Sequence, residues 1–572
     1  MSRRAVRALP AAALVLVAAA ARADLAADIG HARLAAELGG ALPDGSGVPV
    51  THTEARVYVD HDGDPSTPAV AAWLPDMADP EFAGKTLIDR TGATPGAYSG
   101  HATAVARLFY GNTTSIAPGI TAVDAWLADD WLEAGCVSAG PGQPCADDGR
   151  VANHSWVGSF NDPAADSDLL RRVDWLAERD EVIHCAGLTN GGANRPLLAS
   201  AFNVLTVGRS DGGHGSGGSV AVDADYTAGR PRPTLVVPQG TTSAATPVAC
   251  AAAALLVQAG HQHPGWSTDP VANHTTTRRG AIVYNAERAV VVRAALQAGA
   301  ARVVPRNSDG TSLLDYRLDP ARQAANGLDS RFGAGQLDVS ASYHILAGGE
   351  QNSAEDQPDG QIAWQGFDYD PHFGGANGSN GRASYHFHTD AAPRQLYAAL
   401  VWPLHIDGGT PAAFDGRATL HALTLRLYDV TGGGETLVAE RDGAGDNSAH
   451  LWLPLAPGRD YRLQVDAAGP AFDGPYALAW RMPPDADHDG LDDDRDNCPR
   501  RANPPQRDSD GDGFGNRCDA DLDQSGRVNF ADLSLLRARW GGADPDADLD
   551  GDGVVGASDL DLLRQDFLQP PG

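Results

Sequence analysis

Residues 238–259, PQGTTSAATPVACAAAALLVQA, place a turn of small residues directly before an alanine-rich apolar run. The run from Ala249 to Ala259 predicts a buried helix. Ser243 would then lie at the helix entrance, where the positive end of the helix dipole stabilises developing negative charge. The alternative interpretation is that Ser243 is an ordinary N-cap residue.

The sequence on both sides of this helix predicts an α/β domain. From about residue 45 to 347, short apolar runs alternate with helical patterns, which is typical of a mainly parallel sheet. An aperiodic linker at 348–360 follows. The segments predicted as buried strands are Val48–Val50, Ala122–Trp126, Val182–Ala186 and Val204–Val207.

A second domain is predicted over residues 361–482. Here short alternating stretches, such as 396–402 and 461–465, are separated by turns rich in Gly and Asp. This pattern favours an antiparallel β-sandwich.

Two motifs in the α/β segment carry candidate functional side chains. His101 opens a helical pattern in SGHATAVAR (99–107), and Asn190 follows an apolar strand in IHCAGLTNGG (183–192). Alone, the histidine is more often a satisfied structural residue, and Asn-Gly is above all a turn signal. The Asn190 amide is also a possible donor to an oxyanion.

Taken together, these motifs resemble the subtilase family of serine proteases. The similar segments are HATAVARLFYGNTTSIAPG (101–119), VANHSWVG (151–158) and GTTSAATPVACAAAALL (240–256), and the resemblance covers about 45–347. It implies that Ser243 is the nucleophile of an endopeptidase and that His101 is the general base. Asn190 and the Ser243 backbone amide would stabilise the oxyanion.

The resemblance also implies a polypeptide substrate bound as an added β-strand. Residues Ser155, Trp156, Val157 and Gly158 would pair with its backbone. The other interpretation is that they form an ordinary sheet strand, which is compatible with substrate pairing.

The acid of the implied triad departs from the family pattern. Subtilases place an Asp after an early hydrophobic strand, whereas GVPVTHTEA (47–55) puts Glu54 there, as the related sedolisins do. Glu can also orient an imidazole, and Asp60 and Asp62 are the other candidates.

The sequence departs from the subtilase motifs at further positions, so functions other than proteolysis are also considered. The histidine motif lacks the usual glycine and second histidine, no histidine follows Pro247, and only about twenty residues precede Gly45 after the predicted signal, too few for the usual folded pro-segment. The main alternative is a catalytically inactive scaffold that acts as a surface or adhesion protein and binds calcium. An esterase or acyltransferase with the same triad is a third class.

The N-terminus indicates export. In residues 1–23, Arg3, Arg4 and Arg7 precede an apolar run that has a small-x-small end, which is typical of a secretory signal peptide. We expect the mature chain outside the cytoplasm, either secreted, periplasmic or attached to the cell surface. No other segment reaches transmembrane length, so we predict no integral membrane span.

Charge and cysteine content point to an oxidising, cation-rich environment. The net charge of −31 argues against nucleic-acid partners. The pairs Cys136/Cys145 and Cys498/Cys518 close short loops that suit disulfides. Cys185 and Cys250 are either a third pair or buried free thiols.

The C-terminal region predicts calcium sites. From residue 485 onwards it contains 22 Asp, no Glu and 9 Arg, a balance of 9 − 22 = −13. Segments 485–499 and 508–519 resemble thrombospondin type 3 repeats, in which alternate Asp residues bind Ca²⁺ and a Cys498–Cys518 bridge closes the unit. The ligands implied within 485–519 are Asp485, Asp487, Asp489, Asp508, Asp510 and Asp512.

Residues 520–568 contain an internal duplicate that resembles the EF-hand pair of dockerins. Each copy has oxygen ligands at loop positions one, three, five and twelve and Gly at six. Such a pair could bind a cohesin-like or cell-surface receptor, or only stiffen the terminus with calcium, which we favour. The ligands implied are Asp521, Asp523, Ser525, Arg527 and Asp532, then Asp548, Asp550, Asp552, Val554 and Asp559.

Overall fold

The structure is a computed structural model of the 572-residue chain. It describes residues 25–60, 67–146, 148–270, 272–304, 307–308, 310–313, 320–355, 360–373, 381–443, 445–468 and 474–572. The predicted signal peptide and Asp62 lie outside these ranges.

The N-terminal unit is an α/β domain built on a seven-stranded sheet with the order β4-β5-β1-β6-β7-β8-β9. Every neighbouring pair in this sheet is parallel. The predicted fold class is therefore confirmed. The strands of this unit are β1 Val50–Glu54, β2 Val57–Val59, β3 Val70–Ala72, β4 Thr86–Asp89, β5 Ala122–Leu127, β6 Val151–His154, β7 Ile183–Gly187, β8 Leu205–Arg209, β9 Leu235–Val237, β10 His274–Thr276 and β11 Ile282–Tyr284.

Helices cover the parallel sheet, which is what strands buried on both faces require. The helices of the unit are α1 His31–Leu38, α2 Gly100–Tyr110, α3 Ala128–Asp130, α4 Pro163–Arg179, α5 Thr242–Gln262, α6 Ala289–Gly299 and α7 Val339–Ala347. β2 with β3 and β10 with β11 form separate antiparallel hairpins.

Helix α5 is the central helix of the domain core. Its small side chains let it pack closely against α2 and against β6, β7 and β8, and its residues from Ala245 to Gly260 are all buried. The Thr241 hydroxyl caps it by accepting the Ala244 amide at 3.1 Å. Among the helices of the described residues, α5 alone is long and apolar enough to cross a bilayer, and 89% of its apolar window is buried inside the protein.

The prediction for the first strand was wrong in its position. The apolar run Val48–Val50 was expected to form it, but β1 runs from Val50 to Glu54. Two buried polar residues of β1 hydrogen-bond to helix α2: His52 contacts the Tyr110 hydroxyl, and Glu54 contacts the His101 imidazole. The periodicity of hydrophobic residues in a sequence cannot indicate hydrogen-bond partners that come from distant elements.

The second unit is a β-sandwich of two antiparallel sheets, β12-β21-β14-β19 and β13-β20-β17-β18. Its core contains Tyr385, Trp402, Tyr476 and Trp480. The strands are β12 Gln365–Phe373, β13 Arg382–His388, β14 Arg394–Val401, β15 His405–Ile406, β16 Ala418–Thr419, β17 Ala422–Asp429, β18 Thr436–Asp442, β19 Ser448–Leu455, β20 Asp460–Ala468 and β21 Gly474–Arg481.

The C-terminal region consists of acidic loops and two helices, α8 Phe530–Arg539 and α9 Ala557–Gln565. A small apolar cluster that includes Val528, Leu536, Leu549 and Leu563 joins the two helices and their loops. Both predicted disulfides, Cys136–Cys145 and Cys498–Cys518, are present. Cys185 and Cys250 are buried free thiols.

Candidate active site

Glu54 and His101 form a hydrogen-bonded pair at the carboxyl edge of the parallel sheet. Glu54 is the last residue of β1, and its side chain is only 3% exposed. Its Oε2 atom lies 2.8 Å from Nδ1 of His101. His101 stands in the first turn of α2, which Ser99 caps by accepting the Ala102 amide at 3.1 Å.

The two members of this pair shift each other's pKa. The hydrogen bond from Glu54 raises the pKa of His101 above its ordinary value, although partial burial opposes the shift. Burial acts to raise the pKa of Glu54, but hydrogen bonds from His101 and His52 outweigh it and lower that pKa. The arrangement therefore keeps Glu54 ionised and stabilises a protonated imidazole at His101.

Ser243 lies in the first turn of α5, at the same sheet edge. Its Oγ donates to the backbone oxygen of Ser155 at 3.3 Å. Strands β1 and β6 pair with Thr53 level with His154. Glu54 and Ser155 therefore leave the sheet side by side, on strands about 4.8 Å apart.

Within the described residues, the Ser155 carbonyl is the only hydrogen-bond partner of the Ser243 hydroxyl. His101 is bonded through Nδ1 to Glu54, and its imidazole is 42% exposed. Hydrogen bonds between a nucleophile and its base are often long without substrate and tighten when substrate binds. For the Ser243 hydroxyl to hydrogen-bond to the imidazole, it would have to turn away from the Ser155 carbonyl.

Asn190 is fixed beside the start of α5. It follows the carboxyl end of β7, and its Oδ1 accepts hydrogen bonds from the Thr242 backbone amide at 2.9 Å and from the Thr242 hydroxyl at 3.2 Å. In the part of the chain that the structure describes, Nδ2 makes no hydrogen bond. The amide nitrogen is therefore free to donate to an oxyanion next to Ser243.

Among the described residues, the carboxylate that contacts His101 is that of Glu54. Asp60 follows β2, outside the parallel sheet. Asp62 lies outside the described residues.

The segment Ser155–Gly158 is not a strand of the sheet, because β6 ends at His154. Trp156 is largely buried, whereas Val157 is 45% exposed. Among the described contacts, the backbones of Trp156 and Val157 make no backbone–backbone hydrogen bond. The expectation that residues 155–158 form an ordinary strand of the sheet is therefore wrong.

His52 and Tyr110 also belong to the site, although sequence reasoning missed both. His52 Nε2 lies 3.2 Å from Glu54 Oε1, and His52 Nδ1 lies 2.9 Å from the Tyr110 hydroxyl. The available signal was the spacing of His52 and Glu54, since residues two apart on a strand share a face.

Four groups of carboxylates in the C-terminal region bring ligand atoms within 4.8 Å of one another. Each group joins three of the predicted calcium ligands. The groups are Asp485, Asp487 and Asp489; Asp508, Asp510 and Asp512; Asp521, Asp523 and Asp532; and Asp548, Asp550 and Asp559.

The first of these groups fits a hard cation. Asp485 Oδ1 and Asp487 Oδ2 are buried and have no hydrogen-bond partner among the described atoms. Burial and neighbouring carboxylates raise the pKa of both residues to about 6. Carboxylate oxygens that lack donors and repel one another suit Ca²⁺, which takes six to eight oxygen ligands.

Four predicted ligands stand outside these carboxylate groups. Ser525 Oγ lies 3.2 Å from Asp521 Oδ1, and Asp552 Oδ1 accepts the Val554 amide at 2.8 Å. The Arg527 carbonyl accepts from Asn529 Nδ2 at 3.0 Å.

One carboxylate near the second group was missed. Burial and the carboxylates of Asp512 and Asp510 raise the pKa of Asp519 to about 7. The signal in the sequence was the Asp directly after Cys518 at the end of the repeat.

No protein-family model matches the chain, and no curated protein does. Solved structures similar to parts of it include the pre-peptidase C-terminal domain of a collagenase from Bacillus anthracis, at 16% identity and a TM-score of 0.16 over 21% of this chain and 92% of that one. A cold-adapted subtilisin-like serine proteinase matches at 19% identity and a TM-score of 0.23 over 38% of this chain and 77% of that one. Tripeptidyl peptidase 2 matches at 10% identity and a TM-score of 0.25 over 67% of this chain and 40% of that one. These similarities are too low to decide the function, which has to rest on the geometry of the site.

Proposed function

We propose that the protein is a serine endopeptidase that hydrolyses peptide bonds with Ser243, His101 and Glu54 as its triad. The observation that carries this proposal is the 2.8 Å contact between Glu54 and His101 at the sheet edge that also holds Ser243 and Asn190. A buried carboxylate that orients an imidazole beside a serine at a helix entrance is the arrangement that acyl transfer requires.

In the proposed reaction, Ser243 Oγ attacks the scissile carbonyl carbon while His101 Nε2 takes the hydroxyl proton. Glu54 accepts the Nδ1–H of His101 and stabilises the imidazolium that forms. His101 then gives the proton to the leaving amine, which breaks the C–N bond and leaves an acyl ester on Ser243. Water, deprotonated by His101, hydrolyses that ester and restores the serine.

The oxyanion of each tetrahedral intermediate would accept hydrogen bonds from Asn190 Nδ2 and from the Ser243 backbone amide. The two contacts from Thr242 hold the Asn190 amide by its oxygen, which supports this assignment. Donors that are fixed in advance need no reorganisation when the charge develops.

The substrate is proposed to be an extended polypeptide that pairs with residues 155–158. Two observations support this mode: the side chain of Val157 is exposed, and among the described residues the backbone of Trp156 makes no backbone–backbone hydrogen bond. No support exists for a cohesin-like or cell-surface partner, so we do not propose one.

The C-terminal groups are proposed to hold Ca²⁺ through the carboxylates described above. When bound, the ion would neutralise the like charges of the acidic loops and stabilise the module by mass action. The signal-like N-terminus leads us to propose an extracytoplasmic location, where calcium is abundant and the two disulfides persist.

One observation favours a non-catalytic scaffold as the second candidate: the Ser243 hydroxyl donates to Ser155 rather than to His101. Two assays on protein purified with calcium distinguish a peptidase from a scaffold. They are casein hydrolysis and labelling with a fluorophosphonate. Cleavage and labelling by wild type, both lost in Ser243→Ala, support the peptidase. If folded wild type neither cleaves nor reacts, the scaffold function takes its place.

A further inference from the structure

We propose that His52 is a positioning residue for Glu54 and that Tyr110 sets the tautomer of His52, so that the site is a hydrogen-bonded chain of Tyr110, His52, Glu54 and His101. This inference rests on the proposed function, in which Glu54 orients His101. It assigns a role to two residues that do not touch the reacting atoms.

The chain links the strand that carries the acid to both ends of the helix that carries the base. His52 and Glu54 lie two residues apart on β1 and share one face, while His101 and Tyr110 lie near the two ends of α2. The contacts are 2.9 Å from Tyr110 Oη to His52 Nδ1, 3.2 Å from His52 Nε2 to Glu54 Oε1, and 2.8 Å from Glu54 Oε2 to His101 Nδ1. Helix α2 is thereby held against β1 at two points.

The chemistry of the groups fixes the direction of each hydrogen bond. An ionised carboxylate only accepts, so His52 must donate from Nε2 and His101 from Nδ1. A neutral His52 that carries its proton on Nε2 has an unprotonated Nδ1, which accepts the Tyr110 hydroxyl. Tyr110 is fully buried, and burial raises the pKa of its phenol well above 10, so the hydroxyl remains a donor.

Glu54 needs this support because its side chain has one more rotatable bond than that of Asp. Its extra rotatable bond would let the carboxylate turn away from His101, and Oε1 would be a buried acceptor without a partner. His52, which is 2% exposed, donates to Glu54 Oε1 from inside the protein, and Glu54 Oε2 is directed at His101. The second imidazole thus supplies the orientation that the longer side chain lacks.

The titratable groups that face this chain are few. Glu54 interacts with His52 and His101, and Tyr110 with Glu54. From β6, His154 faces His52, and burial first, then His184 and His52, lower its pKa well below its ordinary value. A change in the Glu54 titration when His52 is altered therefore reports the contact between these two residues.

The test compares full-length His52→Leu, His52→Gln, Tyr110→Phe and Thr53→Val. Selective ¹³C labelling of glutamate, with the Glu54 signal assigned from Glu54→Gln, measures the Glu54 pKa. His52→Leu removes the donor and is expected to raise that pKa by about one unit and to lower kcat about tenfold with little change in KM. His52→Gln keeps an N–H donor and is expected to restore most of both values.

Thr53→Val is the matched control, because Thr53 lies between the two residues on β1 and its buried hydroxyl has no hydrogen-bond partner among the described atoms. It is expected to leave the Glu54 pKa and kcat at their wild-type values. If His52→Leu behaves like this control, the proposal is wrong. If wild type proves inactive, the peptidase proposal fails, and the Glu54 titration alone still decides the role of His52.

Should His52→Leu not fold, as judged by circular dichroism, Tyr110→Phe decides the matter. It removes only the hydroxyl, and we expect a smaller rise in the Glu54 pKa, because His52 then loses its preference for the Nε2–H tautomer. An unchanged Glu54 titration in that variant would overturn the proposal.

Discussion

Glu54 Oε2 accepts a hydrogen bond from His101 Nδ1 at 2.8 Å, from the end of β1 to the start of α2. Replacing Glu54 by Gln should lower kcat by about 10³–10⁴, because the neutral amide neither stabilises the imidazolium nor selects the required tautomer. Hydrolysis of a quenched peptide under saturating conditions measures this loss.

Asp60→Asn is the matched control for that variant, since Asp60 was the other described candidate for the triad acid. Its kcat should stay within about twofold of wild type, as for most surface changes away from a site. A large loss in Asp60→Asn with near-normal activity in Glu54→Gln would reverse the assignment of the acid.

Asn190→Ala should reduce kcat by about 10²–10³ while KM changes little, because the lost hydrogen bond exists only in the transition state. Thr242→Val keeps the backbone donor to Asn190 and removes only the hydroxyl contact. We expect a loss of only a few-fold there. Steady-state kinetics on one peptide substrate compare the two variants, and equal losses in both would argue against Asn190 as the direct donor.

The pH dependence of kcat/KM follows from the raised pKa of His101. The base must be neutral to accept a proton, so activity should fall as the pH drops through the His101 pKa. Because Glu54 raises that pKa, the midpoint of the acid limb should lie above the ordinary histidine value of about 6.5.

The control for this profile is the residual activity of Glu54→Gln. Without the carboxylate, the midpoint should move to lower pH. An acid limb that stays at the same pH in both proteins would mean that another group controls it.

Removing calcium should unfold the C-terminal module before the rest of the protein. Without a cation, the carboxylates within each of the four groups repel one another. A ligand that binds only the folded form stabilises that form by about 2.7 kcal/mol when its concentration is a hundred times Kd. Calorimetry with EDTA should show a low-temperature transition that added Ca²⁺ moves upwards.

Asp521→Asn combined with Asp548→Asn supplies the matched comparison, since each removes one carboxylate charge from a group without changing its size. The double variant should need a higher Ca²⁺ concentration than wild type for the same rise in the temperature of the low-temperature transition. If neither EDTA nor these substitutions change the temperature of the transition, the calcium assignment is wrong.

The helix that carries Ser243 was predictable because its signal is local. The alanine run and the small residues before it lie within one stretch of chain. The N-cap is Thr241, so the alternative interpretation of Ser243 as the N-cap is wrong. The signal of the two disulfides is also local, because they close loops of 9 and 20 residues. Cys185 and Cys250 are distant in sequence, and nothing local distinguishes a bridge from two free thiols.

The contacts of β1 could not be predicted, because they depend on partners from other elements. Glu54 was expected just after an early strand and is instead the last residue of β1. The role of His52 depends on its contact with Tyr110 of α2, which is distant in sequence. The predicted strand, Val48–Val50, starts two residues and ends four residues before the observed β1, Val50–Glu54. The prediction followed hydrophobic residues, and Val50 is the only hydrophobic residue of β1. Hydrogen bonding inside the core, rather than hydrophobic pattern, sets this part of the fold.

Ser243 stands on the first turn of a helix whose residues from Ala245 to Gly260 are buried, so we expect its position to depend on a part of the protein that exchanges slowly. Amide protons of α5 should exchange only through global unfolding, while those of α8 and α9 exchange through local opening. Heat inactivation should then follow the unfolding rate of the α/β domain, and the acidic terminus should melt and refold many times while the nucleophile stays in place.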